Sequence, residues 1–180
     1  MATATTSIVS SALSVLLAAG TLSAADRRDV RRAALQKAEK HGPTVVGSLP
    51  SKVNIRLRGG YRSALRRVHR LTSCQDLFAR LGADGVEVLA GTTYTPARAR
   101  WEKQVCDSAD AFTTVGGSRV WVCNGLGWLS EDSVALILIH EALHGAGLGE
   151  QPIDPNGPTP AEIDRMVMKG CDLRSASIAR

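Results

Sequence analysis

Aromatic side chains make up only 4% of this chain, too few for the stacking platforms on which single-stranded nucleic acids are read. No recognisable nucleic-acid module compensates, so a nucleic-acid partner is excluded. Long apolar runs are missing too. Beyond the N-terminal segment the longest buried-looking run, Val134–Ile139, falls far short of the roughly 20 residues that cross a bilayer. No C-x-x-C spacing occurs, which removes the usual cysteine metal sites. Residues 1–25 hold no Lys, Arg, Asp or Glu.

That uncharged start has a pattern of its own. Ile8–Ala19 is largely apolar, and the small residues Ser23-Ala24-Ala25 precede Asp26. The segment reads as a secretory signal peptide over residues 1–25, cleaved near Ala25, although it lacks the positive charge usual at its start. Its apolar core is too short for a stable membrane span. Export, to the outside or to the periplasm and cell envelope, agrees with the four cysteines, Cys74, Cys106, Cys123 and Cys171. Three pairings are possible. Cys106–Cys123, flanking a hairpin, and Cys74–Cys171, tying the first long helix to the last, are the ones expected.

The remaining 26–180 is one domain's worth of chain. An N-terminal helix (Asp26–Lys40) and a connector fill 26–51, and the domain proper is expected over 52–180. Val53–Arg58 alternates apolar and polar residues and predicts a half-buried strand closed by Gly59-Gly60. Tyr61–Leu81 predicts one long helix or two. Gly85–Leu89 reads as a short strand, Gly91–Pro96 as turn-rich, and Ala97–Val105 as a helix with Trp101 inward. Ala111–Val115 and Arg119–Cys123, around Gly116-Gly117, predict a hairpin with Val120 and Val122 on its inner face. Ser130 suits an N-cap, with Glu131 and Asp132 in the first turn. Pro152–Pro160 is a loop, and Ala161–Lys169 the last helix.

The chain carries a net charge of +5. Arginines gather in Asp26–Lys40 and again at Arg56, Arg58, Arg62, Arg66, Arg67 and Arg70. This surface is either a solvated helix face or one that attracts anionic envelope polymers or acidic peptides.

The chemistry concentrates in Leu136–Glu150, LILIHEALHGAGLGE. His140 and His144 stand at i and i+4, so on a helix both imidazoles reach one metal ion. Glu141 lies about 100° round the turn, placed to act on water rather than to ligate. A tetrahedral site with an open position needs a third protein ligand. Gly147 suits the left-handed conformation that reverses a chain, and Glu150 then returns towards the metal.

His140-Glu141-x-x-His144 resembles the zincin metallopeptidases, and its extension through Gly147 to Glu150 resembles the metzincin signature, whose last position is usually His or Asp. The run also resembles a group of small exported bacterial proteins that share HExLHxxGLGE. The resemblance implies an α+β zincin-like domain, with an antiparallel or mixed sheet packed on a buried active-site helix. It implies a Zn²⁺ held by His140, His144 and Glu150, Glu141 as the catalytic base, and a peptide or protein substrate lying along an edge strand. Glu162 competes for the third ligand in the thermolysin-like manner, but Thr159-Pro160-Ala161-Glu162 also fits a capping box. Met166 and Met168 fall where a metzincin has its Met-turn, yet in a helical segment. No tyrosine follows Tyr94, so Tyr61, Tyr94 or His41 would have to assist at the oxyanion. The other reading is a non-catalytic or structural zinc-binding envelope protein with a basic binding face.

Overall fold

The computed structural model describes residues 24–173; the expected signal peptide lies almost wholly outside them. The helices are α1 (Ala24–His41), α2 (Ser51–Arg70), α3 (Thr72–Ala79), α4 (Gly85–Gly91), α5 (Arg100–Val105), α6 (Glu131–Gly145) and α7 (Pro160–Gly170). Four short strands, β1 (Thr44–Val45), β2 (Thr93–Pro96), β3 (Ala111–Thr113) and β4 (Arg119–Val122), form one sheet in the order β1-β2-β4-β3. β1, β2 and β4 run parallel and β3 is antiparallel to β4, so the fold is α+β with a mixed sheet.

α6 is the element on which the rest packs. The Ser130 side chain caps it by accepting the N–H of Ser133, and Glu131 and Asp132 meet the positive end of the helix dipole. Beyond this first turn Val134, Ala135, Leu138, Ile139, Ala142 and Leu143 are all buried, and no residue from 132 to 146 is exposed, so the helix is covered on nearly all sides. α2 crosses one side, and the inner face of the sheet, with Tyr94, Ala111, Val120 and Val122 buried, belongs to the same core. α1 joins it through Ala38, backed by Ala34 and Leu35, and an Arg31–Asp84 ion pair at 3.3 Å ties α1 to the cap of α4.

Both expected disulfides are present, Cys74–Cys171 and Cys106–Cys123. The first closes 97 residues and fixes the end of α7 to α3. The hairpin also forms as expected, with Phe112 opposite Trp121 and Thr113 opposite Val120.

Four local expectations are corrected. Val53–Arg58 is helical and belongs to α2: Val53 and Leu57 are buried while Ile55 between them is 68% exposed, an i, i+4 pattern rather than an alternating one. Gly59-Gly60 therefore closes no strand. A Cβ on Gly60 would overlap Val134 Cγ1, and one on Gly59 would overlap the Glu131 carboxylate, so the pair is where α2 and α6 touch backbone to side chain. Gly85–Leu89 is helix α4, started by Asp84, whose carboxylate accepts the N–H groups of Val86 and Glu87. The turn-rich Gly91–Pro96 contains β2, one of the two inner strands, paired on both sides. Trp101 points outward, 52% exposed, where it packs edge-on against the stacked Phe112 and Trp121 on the outer face of the sheet.

The helix crossing sets the sign of one substitution. Gly→Ala inside a helix ordinarily stabilises by about 1 kcal/mol. At Gly60 the added methyl meets Val134, and overpacking of about 1–3 kcal/mol outweighs that gain. Gly60→Ala is expected to lower the urea midpoint; a raised midpoint would show that α2 and α6 are not in close contact there.

Candidate metal centre

The last turn of α6 brings His140 and His144 to one side, and the turn that follows is built around Gly147 at φ +104°. Leu148 N–H bonds back to Leu143 O at 3.0 Å and Gly147 N–H to His144 O at 2.9 Å, the paired bonds of a Schellman end. This turn does two things for the site. It lays the Leu148 carbonyl 2.7 Å from His144 Nδ1, and it sends Glu150 back over the histidines.

A carbonyl only accepts, so His144 Nδ1 must carry the proton and Nε2 must present its lone pair. His140 is held in the same sense by Asp164 of α7, whose Oδ1 lies 2.8 Å from Nδ1. Two imidazole Nε2 atoms therefore face each other at 3.1 Å. Glu150 Oε2 lies 3.4 Å from the first and 3.3 Å from the second, buried and without a hydrogen-bond partner. Three acceptors converge with no donor among them, an arrangement that only a cation or a proton relieves. His140, His144 and Glu150 form a group that could hold a metal ion. Bonds of about 2.0–2.1 Å at the tetrahedral angle put neighbouring donors about 3.3–3.4 Å apart. The residues present thus fit a small divalent ion bound by two imidazoles and one carboxylate.

Glu141 is only 8% exposed and lies between α6 and the edge strand β3. The Thr113 N–H donates to its carboxyl, while Oε2 is buried without a partner. Burial, with Glu150 and Asp164 adding negative charge nearby, raises its pKa to about 8 against the pull of His140 and the Thr113 N–H. Burial works to lower the pKa of His140, but the Asp164 hydrogen bond and the charges of Glu141, Asp164 and Glu150 outweigh it and raise the net value. The hairpin is seated on the same helix end: Gly116 N–H donates to His144 O at 2.8 Å, and a Cβ on Gly145 would lie 2.9 Å from Gly117 O.

Glu162 stays away from this group. It is exposed and completes the capping box of α7, accepting the Thr159 N–H at 2.8 Å while its own N–H reaches Thr159 Oγ1. Met166 and Met168 lie in α7 against the core, not in a turn. Tyr61 and Tyr94 are core residues in edge-to-face contact, Tyr61 donating to Leu89 O at 3.5 Å, and His41 is an exposed residue ending α1. Sequence reasoning missed Asp164, the Leu148 carbonyl and the Thr113 N–H. Only Asp164 left a trace, as an acid beside the buried Ile163–Val167 stripe of an amphipathic helix.

The raised pKa values give a signed pH dependence for metal-free protein. Glu141 keeps its proton to about pH 8, whereas an ordinary glutamate releases it near 4.5. Between these values the folded state binds more protons than the unfolded one, so stability falls as pH rises, and raised His140 acts in the same sense. Chelator-treated protein is expected to lose on the order of a few kcal/mol between pH 5 and pH 8 in urea titrations. Glu141→Gln should flatten most of that slope; equal slopes in parent and variant would contradict the assignment.

No family model matches the chain, and comparison with curated proteins and with solved structures likewise gives no match.

Proposed function

We propose that the chain is a zinc-dependent peptidase, with His140, His144 and Glu150 holding the metal and Glu141 acting as the base. The observation that carries this reading is the convergence of two tautomer-fixed Nε2 atoms and one orphaned carboxylate oxygen at 3.1–3.4 Å. Two imidazoles and one carboxylate, with a position left for water, match the donor set of a catalytic zinc site.

Bound zinc would supply Lewis acidity, polarising the substrate carbonyl and acidifying water. With that cation's charge lowering its raised pKa again, Glu141 would take a proton from the attacking water and pass it to the leaving nitrogen. Its position suits both steps, because the Thr113 N–H steadies the carboxyl while Oε2 stays free. Asp164 and the Leu148 carbonyl keep both imidazoles turned inward, as outer partners of ligating histidines do. β3 is the outermost strand on its side of the sheet, and its Thr113 N–H already points at α6. An extended peptide laid along this edge would pair with its backbone and bring a carbonyl to the centre.

Purified protein is expected to hold one zinc per chain by metal analysis and to cleave casein or a peptide library, with a chelator abolishing both. His144→Ala should release the metal. Glu141→Gln should keep zinc and lose about 10²–10⁴-fold in hydrolysis. Glu150→Gln should weaken zinc, whereas Glu162→Gln should leave occupancy unchanged and cost at most about 1 kcal/mol. Zinc held by a parent protein that cleaves nothing would support the structural, non-catalytic reading instead.

Asp164→Asn is expected to lower zinc affinity about 10–100-fold in chelator competition without removing a ligand. An unchanged affinity would mean that Asp164 does not orient His140.

A further inference from the structure

α2 carries Lys52, Arg56, Arg58, Arg62, Arg66, Arg67 and Arg70 and no Asp or Glu. Among the described residues only Arg67 of these makes an ion pair, bridging Asp132 at 3.2 Å and donating to the Cys171 and Asp172 carbonyls. Lys52, Arg58, Arg62, Arg66 and Arg70 are exposed, and among the described residues no salt bridge reaches them. At 100° per residue Ile55, Arg58, Arg62 and Arg66 fall within about 80° of one another, with Lys52 and Arg70 at the border. Glu39 and Glu131 line a groove with Arg62 and Arg66, and Arg58 donates to Asn54 Oδ1 at 3.3 Å, so over the whole face two carboxylates stand near five cations that no acid pairs among the described residues. Helix stability does not account for the stripe, because Lys52 in the first turn opposes the helix dipole and no acid offsets it.

Two apolar side chains sit with these cations. Ile55, in the middle of the stripe, is 68% exposed. Trp128 is 77% exposed beside the start of α2, with the Lys52 ammonium 2.8 Å above its ring. A soluble polyanion would engage the arginines but give Ile55 and Trp128 no reason to face water. A bilayer interface uses both kinds of group: anionic headgroups draw the cations, and the boundary below them takes tryptophan and aliphatic side chains. No helix among the described residues is long and apolar enough to cross a membrane.

We propose that this face of α2, with Trp128, binds peripherally to an anionic lipid bilayer surface. The proposal does not depend on the metal centre. The full chain would be sedimented with vesicles of phosphatidylcholine alone and with added phosphatidylglycerol, at low and high salt. Binding is expected only to the anionic vesicles, weakened by salt. Arg62→Ala with Arg66→Ala should lower the partition coefficient roughly 30-fold, since each cation near such a surface contributes about a fivefold factor. Ile55→Ser with Trp128→Ser should also lower it, and the parent's tryptophan emission should shift to the blue on the vesicles. Far-UV circular dichroism checks that the variants are folded. The proposal is overturned if the parent ignores anionic vesicles. It is overturned too if the arginine variant binds as well as the parent, which would assign binding to another segment such as residues 1–25. If the Ile55/Trp128 variant binds unchanged while polyphosphate competes fully, the face serves a soluble polyanion and the bilayer reading fails.

Discussion

Neither imidazole at the centre is free to turn. The Leu148 carbonyl fixes one Nδ1 and the Asp164 carboxylate fixes the other, and everything distinctive about the site follows from those two hydrogen bonds. They force both Nε2 lone pairs towards a single point, where Glu150 adds a third acceptor. Electrostatics then favours positive charge at that point. Released from Asp164, His140 could swap tautomers and offer an N–H there, and the convergence would disappear.

The precision of that arrangement rests on close packing elsewhere. α6 is immobilised because α2 approaches it without side chains at Gly59 and Gly60, and because the hairpin turn bonds to its C-terminal carbonyl. α7, which supplies Asp164, is anchored by the Cys74–Cys171 disulfide to α3 and by Ile163 and Val167 to the core. A buried, doubly seated helix is what a metal site needs beneath it if its ligands are not to drift. The carboxyl of Glu141 belongs to the same construction. Burial raises its pKa, and a backbone N–H of the neighbouring strand edge anchors it.

The proposed chemistry and the proposed surface use different parts of α2 and α6. The C-terminal end of α6 carries the group that could hold a metal, whereas the basic face of α2 and Trp128 lie by the N-terminal end of α6, since Glu131 packs over Gly59. Attachment through α2 would therefore not engage the C-terminal end of α6.

The sequence by itself determined whatever depends on spacing along the chain. The i, i+4 histidines with Glu141 between them, Gly147 as the reversal that returns Glu150, the Ser130 and Thr159 caps and the Gly116-Gly117 hairpin are local relations, set by the helix repeat and by backbone sterics. Even the disulfide pairing could be anticipated, from the hairpin and from the two long helices. Tertiary structure alone decided the rest. Val53, Ile55 and Leu57 are equally compatible with a strand and a helix until the core closes over Val53, which packs on Gly127, and over Leu57, and leaves Ile55 out. Gly59-Gly60 reads as a stop until Val134 and Glu131 occupy the space that their side chains would need. Asp164 is an ordinary helix-surface acid until packing of α7 brings it 2.8 Å from His140, 24 residues earlier. The physical reason is the same in each case: local rules fix what a residue can do, and burial against a distant partner selects which of those things it does.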